Sequence, residues 1–225
     1  MSHYKNIESI KEVHAALHNY AADVIFVGGA VVSLYADRQA EEVRPTEDVD
    51  VLVEIYTPVE YGQFEEKLRH IGFKPDKEAA FIGRFKIGDI TVDIMPVEGD
   101  KILGFGNKWY KQAFQQMVQY SIDEHIKVNI LPAPWFIATK LEAFHARGGN
   151  DGRTSEDFED IVFILQNRSA IWRDLRNAQE QLKQYLQQEF LKLLSNKYSE
   201  EWIAAHSSSS VAQAILYEMA AFAEE

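Results

Sequence analysis

The chain contains no cysteine, which excludes disulfides, zinc–thiolate centres and thiol nucleophiles. No apolar run is long enough to cross a bilayer. The first residues, Met1-Ser-His-Tyr-Lys-Asn6, lack the basic and apolar blocks of a secretory signal, so a cytoplasmic location without a membrane partner is the expectation. Positive charge is also in short supply: 23 Lys and Arg stand against 35 Asp and Glu, for a net charge of −12. That argues against a globally basic nucleic-acid binder. It is compatible with a nucleotide that arrives as its Mg²⁺ complex, because the metal offsets phosphate charge. Internal repeats, low-complexity tracts and long linkers are absent, and none of the seven histidines is assigned to a metal.

What is present is 225 residues, 46% of them apolar, enough for one large core or a core with a second lobe. Ile7, Ile10, Val13, Leu17 and Tyr20 predict an amphipathic helix over 6–21. Val24-Ile-Phe-Val27, bounded by Gly28-Gly29, reads as a buried strand, and Ala30–Tyr35 as the opening of a helix. A strand is expected over 47–54 and a helix from Pro58 to about His70. Strands over Phe81–Ile87 and Ile90–Met95 join through Gly88-Asp89, and 114–120 and 125–130 suggest another pair. After Pro132-Ala-Pro134 the pattern turns helical, over 134–147, 154–166, 168–197 and 211–223, with breakers at Gly148–Gly152 and Ser207–Ser210. The fold class is therefore α/β (α+β): a mixed sheet with flanking helices over 1–132, followed by a helical lobe over 133–225, with the substrate expected in the cleft between them.

Three pieces carry chemistry. Gly28-Gly29 follows a strand, where glycines let backbone N–H groups approach a phosphate; the same pair also marks an ordinary tight turn. Asp48 and Asp50 stand two apart at the start of a strand and so share a face, while Val49, Val51 and Val53 take the other. Adjacent carboxylates repel unless a cation lies between them, and an all-oxygen site favours Mg²⁺; a solvated strand end is the plainer alternative. Asp93 lies in the apolar strand Ile90-Thr-Val-Asp-Ile-Met95, where a buried acid needs a partner. If that strand neighbours 47–54, the three acids form one cluster, suited to two metal ions around a triphosphate.

Gly28-Gly29, Arg44-x-Thr46-x-Asp48-Val-Asp50 and Val92-Asp93 together resemble the polymerase-β-type nucleotidyltransferase superfamily. The pattern is most similar to the AbiEii-type toxin nucleotidyltransferases, which also carry a helical block like Lys140-Leu-Glu-Ala-Phe144, Arg147 and Asp157-Phe-Glu-Asp160. The similarity runs from about residue 24 to 166. It implies an Mg²⁺-dependent enzyme that transfers NMP from an NTP to an acceptor hydroxyl. In that reading Gly28, Gly29 and Ser33 contact phosphate, Arg44 and Thr46 shape or contact the nucleotide site, and Asp48, Asp50 and Asp93 hold metal. Asp93 doubles as a base on the acceptor. Lys140 reaches phosphate from the helical lobe, and Asp157 is the acid of an Arg–Asp pair. The residue before Asp157 is Glu156 where the family has Arg, so Arg147 or Arg153 is left to supply the guanidinium. The resemblance implies tRNA or a protein as acceptor and a cognate antitoxin as a candidate partner. An aminoglycoside-like small molecule is the alternative acceptor, and a nucleotide-binding protein without turnover the alternative class. The basic run Arg168, Arg173, Arg176 and Lys183 reads as a solvated face with acidic partners, or as a polyanion contact.

Overall fold

The structure, a computed structural model, describes residues 2–37, 43–147 and 151–225. The chain divides into two compact units, Met1–Leu34 with Glu42–Pro132, and Tyr35–Glu41 with Ala133–Glu225.

In the first unit the described residues build seven strands into one mixed sheet: β1 (Val24–Val27), β2 (Asp48–Val53), β3 (Lys74–Pro75), β4 (Arg84–Ile87), β5 (Ile90–Pro96), β6 (Val118–Ser121) and β7 (Lys127–Ile130). Their order is β3-β4-β5-β2-β1-β7-β6. Strand β1 is buried along its whole length, as its unbroken apolar run requires of a strand covered on both faces. It pairs antiparallel with β2 and parallel with β7. Strands β2 and β5 are parallel, and their crossover carries helix α2 (Pro58–His70). A capping box starts α2: Thr57 Oγ1 accepts from Glu60 N–H, and the Glu60 carboxylate accepts from Thr57 N–H. Tyr61 then donates to the Ile94 carbonyl at 3.2 Å, fastening α2 to β5. Helix α1 (Ser2–Leu17) turns Asn6, Ile10, Val13 and Leu17 inward, a spacing of four, three and four that keeps one stripe against β2 and β5.

The second unit is helical. Helix α5 (Ala133–Ala146) buries every residue from Ala133 to Leu141 and so forms its centre. It packs on α6 (Glu156–Asn167), which is capped by Ser155. The rings of Phe144, Phe158 and Trp202 meet at 5.4–6.0 Å, mostly edge to face. Gly152 is required beside them, since a Cβ there would lie 2.8 Å from the Trp202 indole. Helices α7 (Ile171–Arg176), α8 (Glu180–Leu194), α9 (Ser199–Ala204) and α10 (Ser209–Ala223) complete the unit, with Phe190 of α8 against Phe222 of α10. Among the described residues no helix is long and apolar enough to cross a membrane.

Several boundaries differ from the sequence expectation for identifiable reasons. The helix expected from Ala30 is a run of 3-10 turns over Gly29–Tyr35: adjacent β-branched Val31 and Val32 disfavour an α-helix, and five of the seven side chains are buried. The single helix expected over 168–197 breaks into α7 and α8 at Asn177, a residue whose side chain competes with helical bonding. The strand expected from Phe81 begins at Arg84, because Gly83 packs tightly between the Phe81 ring and the Ile94 carbonyl. Short helices α3 (Gly99–Ile102) and α4 (Tyr110–Phe114) precede β6, the latter burying Ala113 and Phe114. Of the breaker at 148–152, residues 148–150 lie outside the described residues.

Phe158→Ala is expected to lower the unfolding free energy by about 3–5 kcal/mol, because the aromatic cluster cannot collapse around the lost ring. Tyr217→Ala, at a side chain that is 74% exposed, is expected to stay within about 0.5 kcal/mol of the parent. Urea titration of both variants checks the contrast.

Candidate functional site

The first unit gathers its acids by strand register. Asp48 and Asp50 lie on one face of β2, both half-buried, while Val49 and Val51 between and beyond them are buried on the other. Asp50 is the direct partner of Asp93 on β5, and Asp93 is the direct partner of Arg84 on β4. Three neighbouring strands therefore present Arg84, Asp93 and Asp50 in a row, with Asp48 one pleat along. Asp93 is buried at 5% exposure. The Arg84 guanidinium forks onto it, Nε to Oδ1 and Nη2 to Oδ2, both at 2.7 Å. The same Nη2 reaches Asp48 Oδ2 at 3.0 Å. This bidentate hold raises the Arg84 pKa above its ordinary value, against the cost of partial burial, with further support from the charges of Asp48 and Asp50.

The turn after β1 borders this row. Val27 pairs with Asp50, and Gly28 follows with φ +72°. A Cβ on Gly28 would fall 1.7 Å from Asp50 Oδ2, so the Asp50 carboxylate occupies the space that any side chain would need. A Cβ on Gly29 would fall 2.6 Å from Arg44 Nη2 and 2.7 Å from the Thr46 methyl. The two glycines thus seat an acid on one and a guanidinium on the other. The segment carrying Arg44 and Thr46 is fixed from α1: buried Asn6 donates to the Arg44 carbonyl at 3.2 Å and accepts from Thr46 N–H at 3.1 Å and Thr46 Oγ1–H at 3.3 Å. Ser33, in the 3-10 run behind the glycines, has a buried hydroxyl without a hydrogen-bond partner among the described residues.

Two residues of this site, Arg84 and Asn6, were not singled out in the sequence. Both left a signal there. Arg84 opens the strand whose hairpin turn sets its register with Asp93, and Asn6 is a polar residue on an otherwise apolar helix stripe.

The residues fit a divalent cation in kind: the donors are carboxylate oxygens, and a cationic side chain already stands between Asp48 and Asp93. Among the described residues no three carboxylates or imidazoles close on one point, because Arg84 lies in that space. The face therefore suits a cation at the Asp48–Asp50 pair, with Asp93 already partnered.

The second unit holds a separate ionic cluster. Lys140 of α5 is buried, and its ammonium meets Asp157 at 3.0 Å and Asp160 at 2.7 Å, one helical turn apart on α6. Burial disfavours its charge, but Asp160 and Asp157 outweigh that and raise its pKa above the ordinary lysine value. Asp157 Oδ2 accepts from Arg147 Nη1 at 2.9 Å. Arg147 therefore supplies the guanidinium that Glu156 does not, whereas Arg153 is engaged with Asp151 and Glu201. Of the basic run farther on, Arg168 pairs with Asp174, and Arg176 and Lys183 with Glu225.

Comparison with known proteins follows the same lines. A sequence profile of the family described as nucleotidyl transferase AbiEii toxin, Type IV TA system, matches residues 13–215. No curated protein sequence matches. A solution structure of the antibiotic-resistance factor ANT(2'')-Ia is 13% identical, with a TM-score of 0.50 over 86% of this chain and 96% of that one. A crystal structure of ANT(2'')-Ia in complex with adenylyl-2''-tobramycin is 14% identical, with a TM-score of 0.46 over 74% and 91%. At such identity the first likeness speaks for the fold alone.

Gly28→Ala is expected to cost about 1–3 kcal/mol through the positive φ and the displaced carboxylate, whereas Gly62→Ala, which meets nothing within 4 Å, is neutral or stabilising by up to about 1 kcal/mol. Lys140→Met is expected to cost about 3–5 kcal/mol by stranding two buried carboxylates, and adding Asp157→Asn and Asp160→Asn recovers most of it. Thermal and denaturant unfolding of these variants provide the check.

Proposed function

The chain belongs to the AbiEii family of nucleotidyl transferase toxins, and from that premise we propose that it transfers a nucleoside monophosphate from an NTP to an acceptor hydroxyl, with release of pyrophosphate. The observation that carries the reading is the face on which Asp48, Asp50 and Asp93 stand in register beside the Gly28-Gly29 turn. Asp48 and Asp50 would hold Mg²⁺. When bound, such a cation neutralises the triphosphate and lowers the pKa of a nearby hydroxyl.

The chain's own groups account for the rest. The acceptor oxygen bonds to the α-phosphorus, the P–O bond toward the β-phosphate breaks, and its electron pair departs on pyrophosphate. In this reading Asp93, held by the Arg84 fork, takes the hydroxyl proton. Arg44, laid against Gly29, offers positive charge beside the turn that receives phosphate, and the unsatisfied Ser33 hydroxyl offers a donor to it. Asn6 keeps Arg44 and Thr46 in place. Lys140, which the resemblance assigns to phosphate, is instead buried against Asp157 and Asp160, where it orders α5 against α6 while Asp157 holds Arg147. A toxin of this kind acts on a cellular macromolecule, so the acceptor is the 3′ end of a tRNA or a hydroxyl side chain of a protein, with a cognate antitoxin to restrain it.

Asp48→Ala and Asp50→Ala are expected to remove NTP-dependent labelling by a factor of about 10³ or more while the fold survives. The assay incubates α-³²P-labelled NTPs with purified protein and, in parallel, total tRNA, a protein extract and aminoglycosides. Equal labelling by parent and variants would end the assignment. Labelling of the aminoglycoside arm alone would move the acceptor to a small molecule.

A further inference from the structure

The acid row has a resident cation, and its geometry is uneven. On Asp93 the Arg84 guanidinium makes a two-point fork at 2.7 Å to a side chain that is 8% exposed. On Asp48 it makes one contact at 3.0 Å to a side chain that is 35% exposed. A bidentate, poorly hydrated pair is hard to open, whereas a single contact to a solvated carboxylate exchanges readily with water or another cation. The Phe81 ring lies 5.7 Å from the Arg84 guanidinium carbon and supports its other side, which favours the fork staying in place. Three acids share this face, and the one charge of Arg84 is divided between Asp93 and Asp48.

We infer that Arg84 is a positioning residue of this site, permanently forked onto Asp93, and that its exchangeable contact with Asp48 sets how tightly the Asp48–Asp50 pair takes a divalent cation. The inference rests on reading Asp48 and Asp50 as the cation ligands. Its consequence is restraint: with a guanidinium beside it, the pair binds a bare divalent ion weakly, and the ion is taken up chiefly with a triphosphate that adds its own negative charge. Arg84 also holds the Asp93 oxygens in a fixed plane for the acceptor hydroxyl.

The test measures Mn²⁺ binding to the nucleotide-free protein by electron paramagnetic resonance. Arg84→Met and Arg84→Gln remove the charge, and the glutamine retains a donor for Asp93. Both are expected to bind Mn²⁺ tighter by about fivefold or more. Arg84→Lys keeps the charge without the fork and is expected to stay within about twofold of the parent in Mn²⁺ affinity while losing turnover by about tenfold or more. A residue that merely compensates buried Asp93 would change stability and leave Mn²⁺ affinity alone, and that result overturns the inference, as does an absence of Mn²⁺ binding in parent and variants alike. Where the neutral variants do not fold, the parent suffices: its Arg84 Nε–H resonance is expected to shift as Mg²⁺ is added without nucleotide, and a resonance that stays put also overturns it. Failure of the transfer reading is distinguishable. A parent that follows these Mn²⁺ ratios yet labels no acceptor keeps the role of Arg84 and removes the reaction, whereas labelling with unchanged Mn²⁺ affinities does the reverse.

Discussion

The parallel pairing of β2 with β5 is the constraint from which the rest of the first unit follows. It sets Asp50 beside Asp93 on one face of the sheet, one pleat from Asp48. Carboxylates that close repel and lose hydration, so the arrangement persists only with positive charge supplied nearby. The antiparallel neighbour β4 supplies it, because the hairpin at Gly88-Asp89 sets a register that aligns Arg84 with Asp93. Gly28 is a consequence as well: Asp50 needs the volume of a side chain on the adjacent turn, and only glycine yields it while adopting φ +72°.

The second unit solves a similar problem with the signs exchanged. There a buried ammonium is the expensive group, and two carboxylates one helical turn apart on α6 offset it. Asp157 spans both sides of that solution, bonding Lys140 with one oxygen and Arg147 with the other. Each unit thus fixes a motif carboxylate through a cation of its own chain, Asp93 through Arg84 and Asp157 through Lys140. A side chain held in that way keeps its rotamer, which is what a reacting or phosphate-contacting group requires.

Much of this was legible in the sequence where periodicity and turn chemistry agree. The unbroken apolar run of β1, the alternation at Asp48-Val-Asp50 and the capping of α2 each encode their own element. The hairpin at Gly88-Asp89 encodes more than its own turn: it pairs Ile87 with Ile90 and, three residues along each strand, Arg84 with Asp93, so the partner of the buried acid is implicit in it. What was not legible depended on contacts distant in sequence. The 3-10 run after Gly29 reflects burial of five neighbouring side chains, which local propensity does not register. The clamp from Asn6 to Thr46 spans 40 residues, so the polar break in the apolar stripe of α1 marks Asn6 without naming its partner. The choice of Arg147 over Arg153 as partner of Asp157 likewise turned on where Asp151 and Glu201 drew the latter.

The overall charge of −12 poses a difficulty for any polyanionic substrate, and the local arrangement answers it. Electrostatic approach is governed by charges within about a Debye length, ~10 Å, rather than by the sum over the molecule. Around the glycine turn the chain sets two guanidiniums, Arg44 against Gly29 and Arg84 within the acid row, against three carboxylates. Two cations against three anions leave the face one negative charge from neutral before any metal is counted, and a bound divalent cation would offset part of the incoming phosphate charge.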